Sequence, residues 1–407
     1  MTENTRHIAQ ALVGQPLQEV ARYSAADLRT GTPHSERSGG VTVRTVHVPG
    51  DAPDVRRLMV EWPDGRLELQ PTKGLSIGPY RHGDWEPFWT PVVPALISPE
   101  SEQLLGDVLV HGNPVAALRW VENFSGCVEL LGLSNWGMPA IDEATGTPLS
   151  LHGEAARIPV DGAAVGLAGS VVVVTGSFTM NSRWWSEPDD GSVWYLRGTP
   201  DWRIERTVLI DTETPRLRFV DTIENIGTET AIPDWGYHVQ LRAEPGAELI
   251  IPARSSEERS GGATPPTDFR RWRPDSDPAV REERGYVHKG VPRTAGPFDT
   301  DIVTGAAVYP QGPATIFTMP ASAYTLSWFS CGGKDSLEFA LPESPQSSLL
   351  PVAWDGIGPE IGVSALDHDG NTDPDMVHPP LEPGRSTRLS FSLASVSADD
   401  ARREVQS

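Results

Sequence analysis

Two cysteines, three lysines and no long apolar run set the first bounds on this chain of 407 residues. Cys127 and Cys331 lie far apart, so neither a CxxC metal pair nor a dense disulfide frame is available. That usage fits a reducing, cytoplasmic compartment. The lysines are Lys73, Lys289 and Lys334; the other basic residues are arginine, and that bias points to no chemistry. The start, Met1-Thr2-Glu3-Asn4, lacks the basic end and apolar centre of a signal peptide, and no window approaches the roughly 20 apolar residues that span a bilayer. Positive charge is scarce as well: 33 basic against 55 acidic residues give a net charge of −22, which repels nucleic acid and anionic membrane, so neither is expected as a partner. G-x-x-x-x-G-K-[ST] and a helix-opening G-x-G-x-x-G are both missing, which removes the phosphate loop and the dinucleotide fold, and the letters G-x-S-x-G occur only as Gly74-Leu75-Ser76-Ile77-Gly78. The run from Asp367 to Asp375 lacks the glycine and terminal glutamate of a calcium loop, so no metal and no cofactor are expected.

What the chain has is short alternating runs and turn residues. Val41-Thr42-Val43-Arg44-Thr45-Val46 puts β-branched side chains on one face, and turn signals such as Pro63-Asp64-Gly65, Asp161-Gly162 and Asn225-Ile226-Gly227 recur along the sequence. Further strands are expected at 171–174, 203–210, 217–223, 236–241, 248–251, 314–319, 324–329, 337–340 and 388–393. With 39 glycines and 38 prolines, this spacing predicts a mainly β protein, a large antiparallel sandwich without βαβ units. Residues 7–29, with Ile8, Leu12, Leu17, Val20 and Ala21, read as a short helix within an N-terminal arm over 1–40. Residues 41–400 then form a single domain, interrupted by a polar, proline-bearing insertion around 254–300 that reads as a surface excursion, a lid or an oligomer contact, or else as plain disorder. Homo-oligomers are compatible with this organisation.

Two histidines stand out, His152 in Leu151-His152-Gly153-Glu154 and His238 in Tyr237-His238-Val239-Gln240. Imidazole exchanges protons near neutrality without perturbation, so two of them in a β-rich chain suit proton transfer on a polar small molecule; taken singly, each also suits a satisfied core residue. Asn135 and Trp136 offer amide hydrogen bonds and a ring that stacks on a sugar face, or else a turn and core filling. Lys73 and Arg81 flank a glycine-bearing strand. An outward Lys73 is a solvated charge, whereas an inward one must meet a ligand oxygen or a carboxylate. Asp367 ends a strand where a base could stand.

In order and spacing these segments resemble the aldose 1-epimerase-like proteins of the galactose mutarotase superfold, in particular a branch known as a domain of unknown function. The resemblance runs from about residue 57 to residue 393. Lys73-Gly74-Leu75-Ser76-Ile77 matches Arg-Gly-Leu-Asp-Ile, Gly132-Leu133-Ser134-Asn135-Trp136-Gly137 matches Gly-Leu-Asp-Asn-x-Gly, Leu151-His152-Gly153-Glu154 matches Leu-His-Gly-Arg, and Tyr237-His238-Val239-Gln240 matches Tyr-His-x-Asn. The resemblance implies a β super-sandwich in which His238 is the general acid on the sugar ring oxygen, His152 a substrate partner and Asp367 the carboxylate base, one methylene shorter than the usual glutamate. Lys73, Arg81, Asn135, Trp136, Glu154 and Gln240 are the expected substrate contacts. Lysine at 73, serine at 76, glutamate at 154 and glutamine at 240 depart from the pattern, which points away from an ordinary aldose. The expectation is therefore an isomerase of carbohydrate metabolism acting at or near the anomeric carbon. A lyase acting on an oxidised glycoside and a non-catalytic carbohydrate-binding or regulatory protein are the alternatives.

Overall fold

The computed structural model describes residues 1–91, 95–99, 124–133, 140–141, 148–149, 152–180, 184–186, 194–196, 201–258, 263–273, 282–321, 324–331, 337–338, 349–350, 356–363 and 379–406. Two antiparallel sheets, of ten and eleven strands, dominate it. The ten-stranded sheet is centred on the long hairpins Val171–Met180, Trp202–Asp211 and Arg216–Asn225, continued by Ser386–Val396 and Ala314–Pro320. The eleven-stranded sheet runs in space through Glu282–Lys289, Tyr324–Cys331, Gly356–Val363, Asp234–Val239, Val128–Leu133, Ser76–His82, Gly65–Gln70 and Arg57–Trp62.

Alternation decides which side chains face the partner sheet. In Val171–Met180, Val172 and Val174 enter the main core, while Val173 turns to the opposite face and is covered there by Ile8 and Ala9 of the N-terminal helix. A strand buried on both faces reads as a continuous valine run, as this one does. Between the sheets, Phe219 of one meets Tyr237 of the other with ring centroids 5.2 Å apart, and Phe391 stacks on Phe219 at 5.1 Å. Each such ring, fully buried, stabilises the fold by about 1.5–3 kcal/mol.

The N-terminal helix spans Glu3–Val13, with Thr2 Oγ1 capping the Thr5 amide and Gly14 at φ 72° ending it. The apolar spacing that suggests helix beyond this point serves a strand instead: Gln18–Ser24 pairs with Gly162–Ala168 at the sheet edge. A second helix, Ala398–Gln406, packs Ala401 and Val405 against Ile250, Ala306 and Val308. The 254–300 stretch supplies Ser255–Glu258 and Glu282–Lys289, which extend the eleven-stranded sheet at one end. Among the described residues no helix is long and apolar enough to cross a membrane.

Candidate active site

The Asp234–Val239 strand lies between Val128–Leu133 and Gly356–Val363. Its Tyr237 hydroxyl donates to Asp221 Oδ2 at 2.7 Å in the inter-sheet core. Because successive strand residues alternate, His238 is left on the opposite face, where it is half-buried. The register there is specific: His238 is the Cα partner of Glu129 on one side and of Glu360 on the other. Three neighbouring strands therefore carry carboxylate, imidazole and carboxylate residues at one level.

His152 reaches the same place from a loop. Its φ of 59° and the 67° of Gly153 turn the chain sharply. The loop is pinned by Gly132, whose N–H donates to the His152 carbonyl at 3.0 Å and whose carbonyl accepts from the Glu154 N–H at 3.0 Å. Gly132 has φ 102°, and a Cβ there would sit 1.8 Å from the Asp234 carbonyl oxygen, so no other residue fits. A left-handed, non-glycine histidine costs on the order of 1–3 kcal/mol and is held by such over-determined surroundings. The outcome is two imidazoles with centroids 5.5 Å apart, inclined at 67°, and Phe124 edge-on to His238 at 5.2 Å.

Gln240 stands behind this pair. It is fully buried, and its amide nitrogen lies 3.0 Å from His238 Nδ1. An amide nitrogen can only donate, so Nδ1 accepts and the neutral ring carries its proton on Nε2.

Lys73 points inward. It ends a short 3-10 turn, Pro71–Lys73, before Gly74 at φ 60°, and its Nζ donates to Ser125 Oγ at 3.2 Å and to Glu129. Burial pushes its ammonium below the usual lysine range, and the adjacent Glu129 carboxylate opposes that push. Glu129 also accepts the Gly126 N–H at 2.6 Å on Oε1. The polar chain continues away from the histidines: Gln70 Nε2 donates to the Ser125 carbonyl at 3.3 Å and to Glu68 at 3.1 Å, Arg57 bonds Glu68 at 2.9 Å, and Arg57 also grips Asp51 at 2.8 and 2.6 Å.

The sequence-predicted residues thus separate into groups. His152, His238 and Gln240 come together, and Lys73 joins the neighbouring strand through Glu129. Glu154 is fully buried just after His152. Arg81 is exposed on Ser76–His82, opposite Arg66. Asn135, Trp136 and Asp367 lie outside the described residues. Glu129 and Glu360 were not picked out from sequence. A lone carboxylate inside Cys127-Val128-Glu129-Leu130-Leu131 is a readable signal, since a charge in an apolar strand requires a partner. Glu360, after Pro359 in a glycine-bearing strand, carries no such local mark. Cys127 is fully buried and burial pushes its thiol well up, which leaves it without thiolate character. Among the described residues no group of three or more His, Cys, Asp or Glu is placed to hold a metal ion.

No family profile matches the chain, and no curated protein matches it by sequence. Solved structures do. A putative aldose 1-epimerase from Klebsiella pneumoniae aligns over 97% of this chain and 94% of its own, with a TM-score of 0.65 and 12% identity. A galactose mutarotase-like protein from Clostridium acetobutylicum aligns over 88% of this chain and 100% of its own, with a TM-score of 0.50 and 9% identity. With two large antiparallel sheets in common and sequence identity this low, what is shared is architecture: the chain has the galactose mutarotase-like fold.

Proposed function

We propose that this chain is a carbohydrate-active isomerase of aldose 1-epimerase type, which interconverts the anomers of a sugar or sugar derivative without a cofactor. The observation that carries the reading is the pair of imidazoles, His152 and His238, held 5.5 Å apart beside a carboxylate-bearing strand on each side. The likeness to the Klebsiella protein supports it. In this reading His238 Nε2–H gives its proton to the ring oxygen as a carboxylate takes the proton of the anomeric hydroxyl. The C1–O5 bond breaks, the aldehyde rotates about C1–C2, and closure on the other face returns both protons. His152 binds a hydroxyl or the ring oxygen, and Asn135, Trp136, Glu154 and Arg81 complete the substrate contacts. Acid and base each contribute on the order of 10²–10⁴-fold.

Two carboxylates are candidates for the base. Asp367 is the one the family resemblance implies; Glu360 is favoured by its register opposite His238. Polarimetry or NMR of freshly dissolved monosaccharides, with wild type, His238→Ala, Glu360→Gln and Asp367→Asn, separates them. His238→Ala should abolish turnover with the melting temperature held within a few degrees, and the base is the carboxylate whose loss lowers turnover by about a hundredfold or more. A new compound in the NMR spectrum would instead mark an elimination, and binding without turnover a non-catalytic protein.

A further inference from the structure

Glu129 is the Cα partner of His238, so the two side chains leave the same face of the sheet with Cβ atoms about 4.5–5.5 Å apart. Glu129 is fully buried, and its pairing is lopsided: Oε1 takes both Lys73 Nζ and the Gly126 N–H, while Oε2 has no hydrogen-bond partner among the described residues. A carboxylate removed from water normally uses both oxygens. Here the uncompensated half belongs to the residue set directly beside the imidazole.

We propose that the Lys73–Glu129 pair is a positioning device that sets the protonation of His238, Glu129 drawing the imidazole toward its charged form and Lys73 limiting that pull. The proposal rests on the reading of His238 as the acid. Other groups stand around this ring. His152 faces it at 5.5 Å and opposes its protonation when itself charged; Glu154 is buried beyond His152; Gln240 holds Nδ1; Phe124 closes one edge; and Glu360 occupies the matching register on the far strand. What distinguishes Lys73 and Glu129 from all of these is that they carry opposite signs on one site. Removing Glu129 leaves a cation near His238, and removing Lys73 leaves an undiluted anion.

The test is an NMR titration of the His238 imidazole in the full chain, its resonance identified by its loss in His238→Asn. This needs no turnover, so it can fail while the isomerase reading stands, and the reverse. Opposite charges within a few ångströms move a pKa by about 1–3 units, and with the partner's opposing charge taken into account a shift of about one unit is expected here. Glu129→Gln should lower the His238 pKa and Lys73→Met should raise it. Two variants that move it in the same direction, or both by less than about 0.3 units, overturn the proposal, because loosened packing has no reason to reverse sign. If Glu129→Gln does not fold, Lys73→Met with Glu129→Gln removes both charges at nearly constant shape. Glu129 being the nearer charge, the double variant should lower the His238 pKa, and an unchanged or raised value overturns the proposal.

Discussion

Arg206–Asp221 and Lys73–Glu129 are both ion pairs shut away from water, yet they are built differently. Arg206 grips Asp221 with Nε on Oδ1 at 2.7 Å and Nη2 on Oδ2 at 2.6 Å, and Tyr237 adds its hydroxyl to Oδ2. The guanidinium lies 4.8 Å from the Phe219 ring centroid and 5.7 Å from that of Tyr237. Both carboxylate oxygens are occupied, and the pair ties the ten-stranded sheet to the strand that carries His238. In Lys73–Glu129 a single oxygen takes every donor among the described residues, and a flexible ammonium replaces the planar fork. The strand Asp234–Val239 thus meets a fully used carboxylate, Asp221, at Tyr237 on one face and a half-used one, Glu129, at the register of His238 on the other. Asp221, which holds the fold, has both carboxylate oxygens occupied, whereas Glu129, beside the candidate chemistry, has one.

The sharpest way to break this contrast is Arg206→Met. It strands Asp221 in the core, and loss of one partner of a buried pair costs about 3–5 kcal/mol. Urea denaturation should show that loss. A variant within 1 kcal/mol of wild type, by the order of magnitude expected of surface pairs, would mean that the pair is not structural.

How much of this was legible in the sequence follows from which interactions are local. Valine runs and turn residues locate Val171–Met180 and Arg216–Asn225, because alternation and the turn between strands are encoded within a few residues. Gln18–Ser24 was not legible as a strand, since Leu17, Val20 and Ala21 fit a helical face as well as an edge strand, and only pairing with Gly162–Ala168 decides. His152 and His238 were found through their motifs, but the placing of Glu129 and of the Glu360 backbone opposite His238 comes from register, which links residues more than a hundred positions apart. Gly132 is another such case: nothing in its neighbours says that the Asp234 carbonyl will lie where its Cβ would be.

A second pair of polar sites extends the comparison to histidines. His288 is buried with Nδ1 2.9 Å from Ser256 Oγ and Nε2 2.8 Å from Ser327 Oγ, and burial pushes its pKa down to about 3. Both ring nitrogens are committed, and a base so weak is unsuited to proton transfer near neutrality. Its contribution is to stability. The folded pKa lies below the unfolded value of 6.5, so the stabilisation is complete above pH 6.5 and is lost as pH falls toward about 3. Within that window the unfolded chain binds a proton that the folded one refuses, at about 1.4 kcal/mol per pH unit. Urea midpoints taken at steps from pH 7 to pH 4 should fall with that slope and flatten in His288→Gln. An unchanged slope in the variant would place the acid sensitivity elsewhere.

The smallest expected stability change, and the most discriminating one, is at Gln240. Its amide is buried against His238 Nδ1, so Gln240→Leu keeps the volume and removes one hydrogen bond, worth about 0.5–1.5 kcal/mol. Against that modest loss stands a chemical one. Without the donor on Nδ1, the neutral ring is free to carry its proton on either nitrogen, and the fraction that presents Nε2–H toward the site falls. Turnover in the polarimetric assay should drop by roughly ten- to a hundredfold, less than the loss of His238 itself, while the apparent affinity for the sugar changes little, since the amide acts through the ring and not on the ligand. Gln240→Glu restores a partner of the opposite kind, an acceptor that favours the proton on Nδ1 and the charged ring. If Gln240→Leu weakened binding and spared turnover, the amide would be a substrate contact and not a group that acts through His238.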